Sequence, residues 1–182
     1  MSGDRSPPLR VGHPDQSEYA PFYASYLARV SEEVVPALES QGQATQTVLK
    51  KVAEAKAAHR YAPEKWTVRE MVGHMADTER IMAYRVLRIA RADTTPLEGF
   101  DEGAYVRAAG ADVRPWAVLV DDLAVVRAAT LALLRGLDAA AWQRRGTANG
   151  ATVSVRALAH IIVGHERHHL EILRTRYGIP TN

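Results

Sequence analysis

Gly164-His165-Glu166-Arg167-His168-His169-Leu170 is the stretch on which the reading of this chain turns. It lies inside a longer helical pattern, Thr152–Tyr177. Wound at about 100° per residue, Leu158, Ile161, Ile162, Ile172 and Leu173 of that pattern form one apolar stripe. His165 and His169, four apart, fall in the middle of the stripe; His168 lies at its edge and His160 points well away. Two imidazoles projecting inward from successive turns have the geometry to hold one metal ion from a single helix. A shared cation also supplies the polar partner that each buried imidazole needs. Two ligands rarely suffice, and the chain offers a third in His74. Spacing alone leaves a choice open, because such pairs arise by chance in histidine-rich helices and His165 with His168 is an alternative pair.

Working outward, composition narrows the chemistry. The 182 residues suit one domain with a substantial core, and 47% of them are hydrophobic, as in ordinary globular proteins. The absence of cysteine excludes disulfides, thiolate zinc sites and a cysteine nucleophile, so any thiol chemistry must use a thiol brought in from outside. The net charge is only +2 and no Lys/Arg-rich run occurs, which argues against a nucleic-acid partner. No stretch reaches the roughly 18 apolar residues of a membrane span. Met1–Gln16 is polar and proline-bearing, without a signal-peptide core. These features lead us to expect a soluble, cytoplasmic protein with a flexible lead-in over residues 1–16 and a single domain over 17–182.

Along the chain, Glu18–Val30 carries aromatic residues at spacings of three and four, as in a short helix or turn packed across a bundle end. A first long helix is expected from about Ser31 to Ala58, with Pro36 in its opening turns. His59, near its end, reads as a solvated histidine at the negative helix terminus. The second helix opens sharply at Thr67-Val68-Arg69-Glu70, a capping box, and runs to about Ala92. Its core face is Val68, Met71, Val72, Met75, Met82, Val86 and Ile89. His74 borders that face beside Glu70, Thr78 and Arg85. Asp93–Asp112 shows no clear periodicity. About 19 extended residues reach roughly 60 Å, enough to cross a bundle end to end and leave helices two and three parallel. A third helix runs from Pro115 to Gly136, where a left-handed cap is expected. A helical turn at Asp138–Arg144 and a loop at Gly146–Ala151 follow, and Thr152 or Ser154 caps the fourth helix. With no convincing strand, the fold class is all-α: a four-helix bundle with a long crossover between helices 2 and 3.

Trp66-Thr67-Val68-Arg69-Glu70, His74 and Asp77-Thr78-Glu79, followed by His165-Glu166 and His168-His169, resemble the DinB-like metal-binding superfamily, which includes the YfiT type. The resemblance spans roughly Ser31 to Tyr177 and takes in Arg85 and Gly99-Phe100-Asp101. It implies a bundle with the crossover described above and a divalent metal held by one histidine of the second helix and two of the fourth, here His74, His165 and His169. It also implies a homodimer. Activities within the family differ: thiol S-transferases, a mycothiol-dependent isomerase and hydrolases all resemble one another in the metal site.

Three neutral imidazoles leave a metal its +2 charge and an open position, as in catalytic sites, and zinc or nickel suits such ligation. The open position serves either a cosubstrate thiol or a water molecule. Asp77, Thr78, Glu166 and His168 are the candidates for orienting the ligands. Glu79 lies further round its helix and is expected to pair with a basic residue. Arg85 reads either as a steering charge for an anionic thiol or, preferably, as an ion-pair partner. The catalytic group is the metal centre itself; no protein nucleophile is identified. Our leading expectation is a metal-dependent transfer of a low-molecular-weight thiol to a small electrophile in stress or detoxification. The alternatives are a non-catalytic metal-binding or structural dimer, and a metal-dependent hydrolase.

Overall fold

The computed structural model describes residues 10–181. Its long helices are α2 (Val34–Leu49), α4 (Val68–Ala90), α6 (Trp116–Arg135) and α8 (Val155–Tyr177). Shorter helices are α1 (Ala24–Leu27), α3 (Glu54–Ala57), α5 (Glu102–Ala109) and α7 (Ala139–Gln143). Among the described residues, no helix is long and apolar enough to cross a membrane.

The apolar core falls into two parts, and these give the directions of the four helices. One part gathers Val34 and Leu38 of α2, Val86 and Ile89 of α4, Leu131 and Leu134 of α6, and Leu158 and Ile161 of α8. The other gathers Leu49, Met71, Leu119 and Leu173 from the opposite ends of the same helices. Hence α4 and α6 run parallel, with α2 and α8 antiparallel to both, as expected of a chain with a long crossover after α4. Between the two apolar parts, every helix contributes buried polar groups: Gln41 and Thr45, Thr78 and Glu79, Arg127 and Thr130, Glu166. Arg127 is held by both carboxylate oxygens of Glu79, at 2.9 and 2.8 Å, by Glu166 and by the Leu38 carbonyl at 2.9 Å. Thr45 donates to the other oxygen of Glu166. Glu79 thus pairs with a basic residue of another helix, as expected.

Four local features differ from the sequence reading. The first long helix ends at Leu49, not Ala58, and Ala53 caps the separate turn α3. The Trp116 indole donates to the Leu49 carbonyl at 3.0 Å, supplying at that end the partner a continuing helix would have given. The connector contains α5, capped by the Asp101 side chain on the Ala104 amide. Gly136 has φ −85°, so the chain leaves α6 without a left-handed residue. Finally, the presumed loop is a β-hairpin, β1 (Arg145–Ala148) and β2 (Ala151–Ser154), with Arg145 opposite Ser154. Its turn residues Asn149 and Gly150 have φ +51° and +73°, the two consecutive positive values that a tight hairpin turn requires. Leu97 of the crossover pairs with this hairpin through its amide and its carbonyl, both at 2.9 Å, which pins the crossover against the bundle.

The expected lead-in is only partly comparable, since residues 1–9 lie outside the described part. Residues 10–16 are held down. The Val11 amide donates to Glu33 at 3.1 Å, and Asp15 and Glu18 form a reciprocal cap. Glu18 is buried; although burial alone raises its pKa, the Arg156 guanidinium and the Asp15 amide bring it down to about 2.

Candidate metal centre

Helix capping fixes where the histidines point. Thr67 accepts from the Glu70 amide at 3.1 Å and Glu70 returns the bond to the Thr67 amide at 2.7 Å, so α4 begins at a defined residue. His74 follows two turns later, facing α8 with the Trp66 ring 4.8 Å from its own. At the start of α8, Ser154 Oγ accepts from the Ala157 amide at 3.0 Å. His165 and His169 then share the inward face one turn apart. Gly164, just before them, lets the main chain of α1 lie directly on α8: a Cβ there would stand 2.1 Å from the Tyr26 carbonyl oxygen. That approach sets the Tyr26 ring edge-on to His165, centroids 5.6 Å apart, and 5.4 Å from His168.

His74, His165 and His169 are all buried and converge. The Nε2 atom of His165 lies 3.0 Å from that of His74 and 3.0 Å from that of His169. Protons cannot satisfy this arrangement. A ring nitrogen offers either one lone pair or one N–H, so the His165 Nε2 can serve one neighbour but not both. Burial pushes the His74 pKa down to about 4 and that of His165 to about 3, and it holds His169 well below the usual value; the neighbouring histidines add to each shift. All three rings are therefore neutral at pH 7, with lone pairs available. A cation between three Nε2 atoms resolves the conflict, and a three-histidine set fits a divalent ion such as zinc or nickel. Among the described residues, no carboxylate joins the cluster.

The surrounding candidates are placed as follows. Thr78 Oγ1 lies 3.4 Å from His74 Nδ1, in position to orient that ring. The half-buried His168 sits with its ring 5.1 Å from that of His169, at the edge as the stripe predicts. Asp77 turns outward to Arg80 at 3.1 Å, and Glu166 turns into the bundle to Arg127 and Thr45; neither bonds a triad histidine. For Glu166 the reason is angular, since a residue next to a ligand on a helix points about 100° away from it; Asp77 is drawn off by its ion pair with Arg80. His169 Nδ1 is buried without a hydrogen-bond partner among the described residues. His160 is buried and stands apart from the triad: its Nδ1 lies 2.8 Å from the Arg156 carbonyl oxygen and its ring meets that of His13 edge-on at 5.0 Å. His59 is exposed, as expected. Trp66 belongs to the family motif quoted from the sequence, while Tyr26 reads from sequence only as an aromatic residue packed across the bundle end, because an aromatic at helical spacing fits a core equally well.

With this geometry established, comparison with known proteins is informative. A family model for the DinB superfamily matches residues 37–173, a span that holds all three histidines. The chain belongs to the DinB superfamily. Its fold is similar to a solved structure described as "YfiT from Bacillus subtilis is a probable metal-dependent hydrolase with an unusual four-helix bundle topology", with a TM-score of 0.71 and 20% identity over 94% of this chain and 100% of that one. No curated protein matches the chain. At that identity the likeness establishes a DinB-type fold, and the chemistry has to be argued from the site.

Proposed function

We propose that this DinB-superfamily protein is a metal-dependent enzyme that transfers a low-molecular-weight thiol to a small electrophile, with a divalent ion, zinc or nickel, held by His74, His165 and His169. The observation that carries the reading is the convergence of three neutral Nε2 atoms that no arrangement of protons satisfies. Bound there, the ion supplies Lewis acidity that lowers the pKa of a thiol or water beside it. The chain's own contribution is to keep the ligand set neutral, so that the ion's full positive charge acts on the substrate. Trp66 and Tyr26 fix the flanking rings and Thr78 orients His74. Because the chain contains no cysteine, the thiol in this reading is supplied by the cosubstrate, and a bound ion would ease its ionisation near neutral pH.

The second reading, a metal-dependent hydrolase, is favoured by the description of the structural relative. The two are separated by loading purified protein with zinc or nickel and following two reactions in parallel: loss of free thiol against a model electrophile, and hydrolysis of activated esters and amides. Metal-dependent thiol loss that disappears in His165→Ala supports the transferase. Ester or amide hydrolysis with no thiol dependence supports the hydrolase. A metal-loaded protein inert in both would leave a metal-binding structural role. A homodimer, expected from the family resemblance, is checked by light scattering on the same sample.

A further inference from the structure

Among the described residues two arginines are buried, and they are treated in opposite ways. Arg127 lies between two carboxylates. Arg85 is only 3% exposed, yet among the described residues it has no carboxylate within ion-pair reach. Its guanidinium donates to the Glu98 carbonyl at 2.8 Å, touches the Met82 sulfur at 3.7 Å and faces the Phe100 ring at 6.0 Å. These contacts orient a guanidinium but do not neutralise it, and arginine does not shed its proton. An unpaired buried charge is costly to keep, and a bound anion would compensate it. This also corrects the sequence reading, which preferred Arg85 as an ion-pair partner.

The position of Arg85 relates it to the histidines. His74, Thr78, Met82 and Arg85 follow one another on a single face of α4, and side chains on a helix lean toward its N-terminus, here toward the histidines. Across from them, Tyr23 stands beside Arg85: burial raises its phenol pKa and the Arg85 charge opposes that rise. Tyr23 leads to Tyr26 at 6.4 Å, and Tyr26 to His165 at 5.6 Å. An aromatic wall therefore runs from the unpaired guanidinium to the three histidines. Glu102, at the head of α5, acts on both tyrosines without forming an ion pair with Arg85.

We infer that Arg85 is the oxyanion-binding residue of this site, taking a carboxylate or phosphate of a molecule whose other end reaches His74, His165 and His169. The substrate or cosubstrate then carries a negative charge at the end remote from the histidines. This rests on the reading of the triad as a substrate-activating metal centre, and it deepens that reading by naming the charge of the ligand.

The test is calorimetric titration of metal-loaded wild type, Arg85→Met and Arg85→Lys with three probes: glutathione, its doubly amidated form, and inorganic phosphate. Wild type should bind glutathione roughly tenfold or more tighter than the amide, the scale of a hydrogen bond to a charged group. Arg85→Met should erase the preference while leaving metal content and amide binding unchanged, and Arg85→Lys should retain part of it. Because it removes an uncompensated buried charge, Arg85→Met should also melt no lower than wild type, an outcome that a purely structural arginine would not give. A preference for the acid that survives in Arg85→Met overturns the inference. So does a wild type without any preference, a wild type that binds none of the three probes, or an Arg85→Met that melts lower and loses metal. If wild type binds phosphate through Arg85 but neither peptide, the oxyanion site stands and the thiol reading falls.

Discussion

At the scale of single residues, the histidines share a residue type but not an environment, and substitutions should tell them apart. His74→Ala, His165→Ala and His169→Ala should each lower bound zinc or nickel per chain by more than about tenfold, since even outer partners act on that scale. His13→Ala and His59→Ala should leave metal content unchanged, as measured by plasma mass spectrometry. His160 allows a test of protonation apart from metal binding. Burial holds its pKa at about 4, although the Arg156 carbonyl opposes the shift, against the ordinary 6.5 of an unfolded histidine. Between those values the unfolded chain binds more protons than the folded one. The stability associated with neutral His160 is thus fully present above pH 6.5 and is lost as the pH falls toward 4, with a slope of about 1.4 kcal/mol per pH unit. His160→Gln, which keeps a donor for the Arg156 carbonyl, should show a smaller drop in urea midpoint between pH 7 and pH 5. An equal drop in both proteins would show that His160 does not titrate in this way.

At the scale of elements, the features most legible from sequence were those with a local chemical cause. Thr67 with Glu70, and Ser154, mark helix starts because their side chains satisfy free amides, and both caps are present. The stripe on α8 placed His165 and His169 inward because helical spacing alone decides which residues share a face. The misreadings have causes remote in sequence. The break after Leu49 depends on an indole 67 positions away, and the hairpin is stabilised by its pairing with Leu97. The Asn149-Gly150 pair was a legible hairpin signal, since both residues tolerate positive φ. Two substitutions test the elements around the site. Thr67→Ala removes the cap on Glu70 and also the 2.6 Å bond to Asp112, so it should cost about 2 kcal/mol in denaturant unfolding, the upper end for a cap. Gly164→Ala drives a methyl group into the Tyr26 backbone. It should destabilise by about 1–3 kcal/mol and weaken metal binding by displacing α1, whereas a fully stable variant would mean that α1 does not press on α8.

At the scale of the whole molecule, the parallel pair α4 and α6 and the crossover were legible from helix count and connector length. The polar layer across the middle of the bundle was not. It joins Thr45, Glu79, Arg127 and Glu166 from four helices, and no single helix pattern shows that these groups meet. Arg127→Met leaves two buried carboxylates facing each other and should destabilise the protein by about 3–5 kcal/mol, with the three metal ligands still in place. In the opposite direction, bound metal stabilises the native state by mass action: at free zinc a hundredfold above the dissociation constant, the gain is about 2.7 kcal/mol. The melting temperature should rise with zinc in wild type and in Arg85→Met but not in His165→Ala. The most direct test of the central claim is X-ray absorption at the metal edge of the loaded protein. The expected result is one ion bound by three imidazole nitrogens at about 2.0–2.1 Å, with no protein carboxylate in the shell. A shell with two imidazoles or fewer, or one built from carboxylate oxygens, would contradict it.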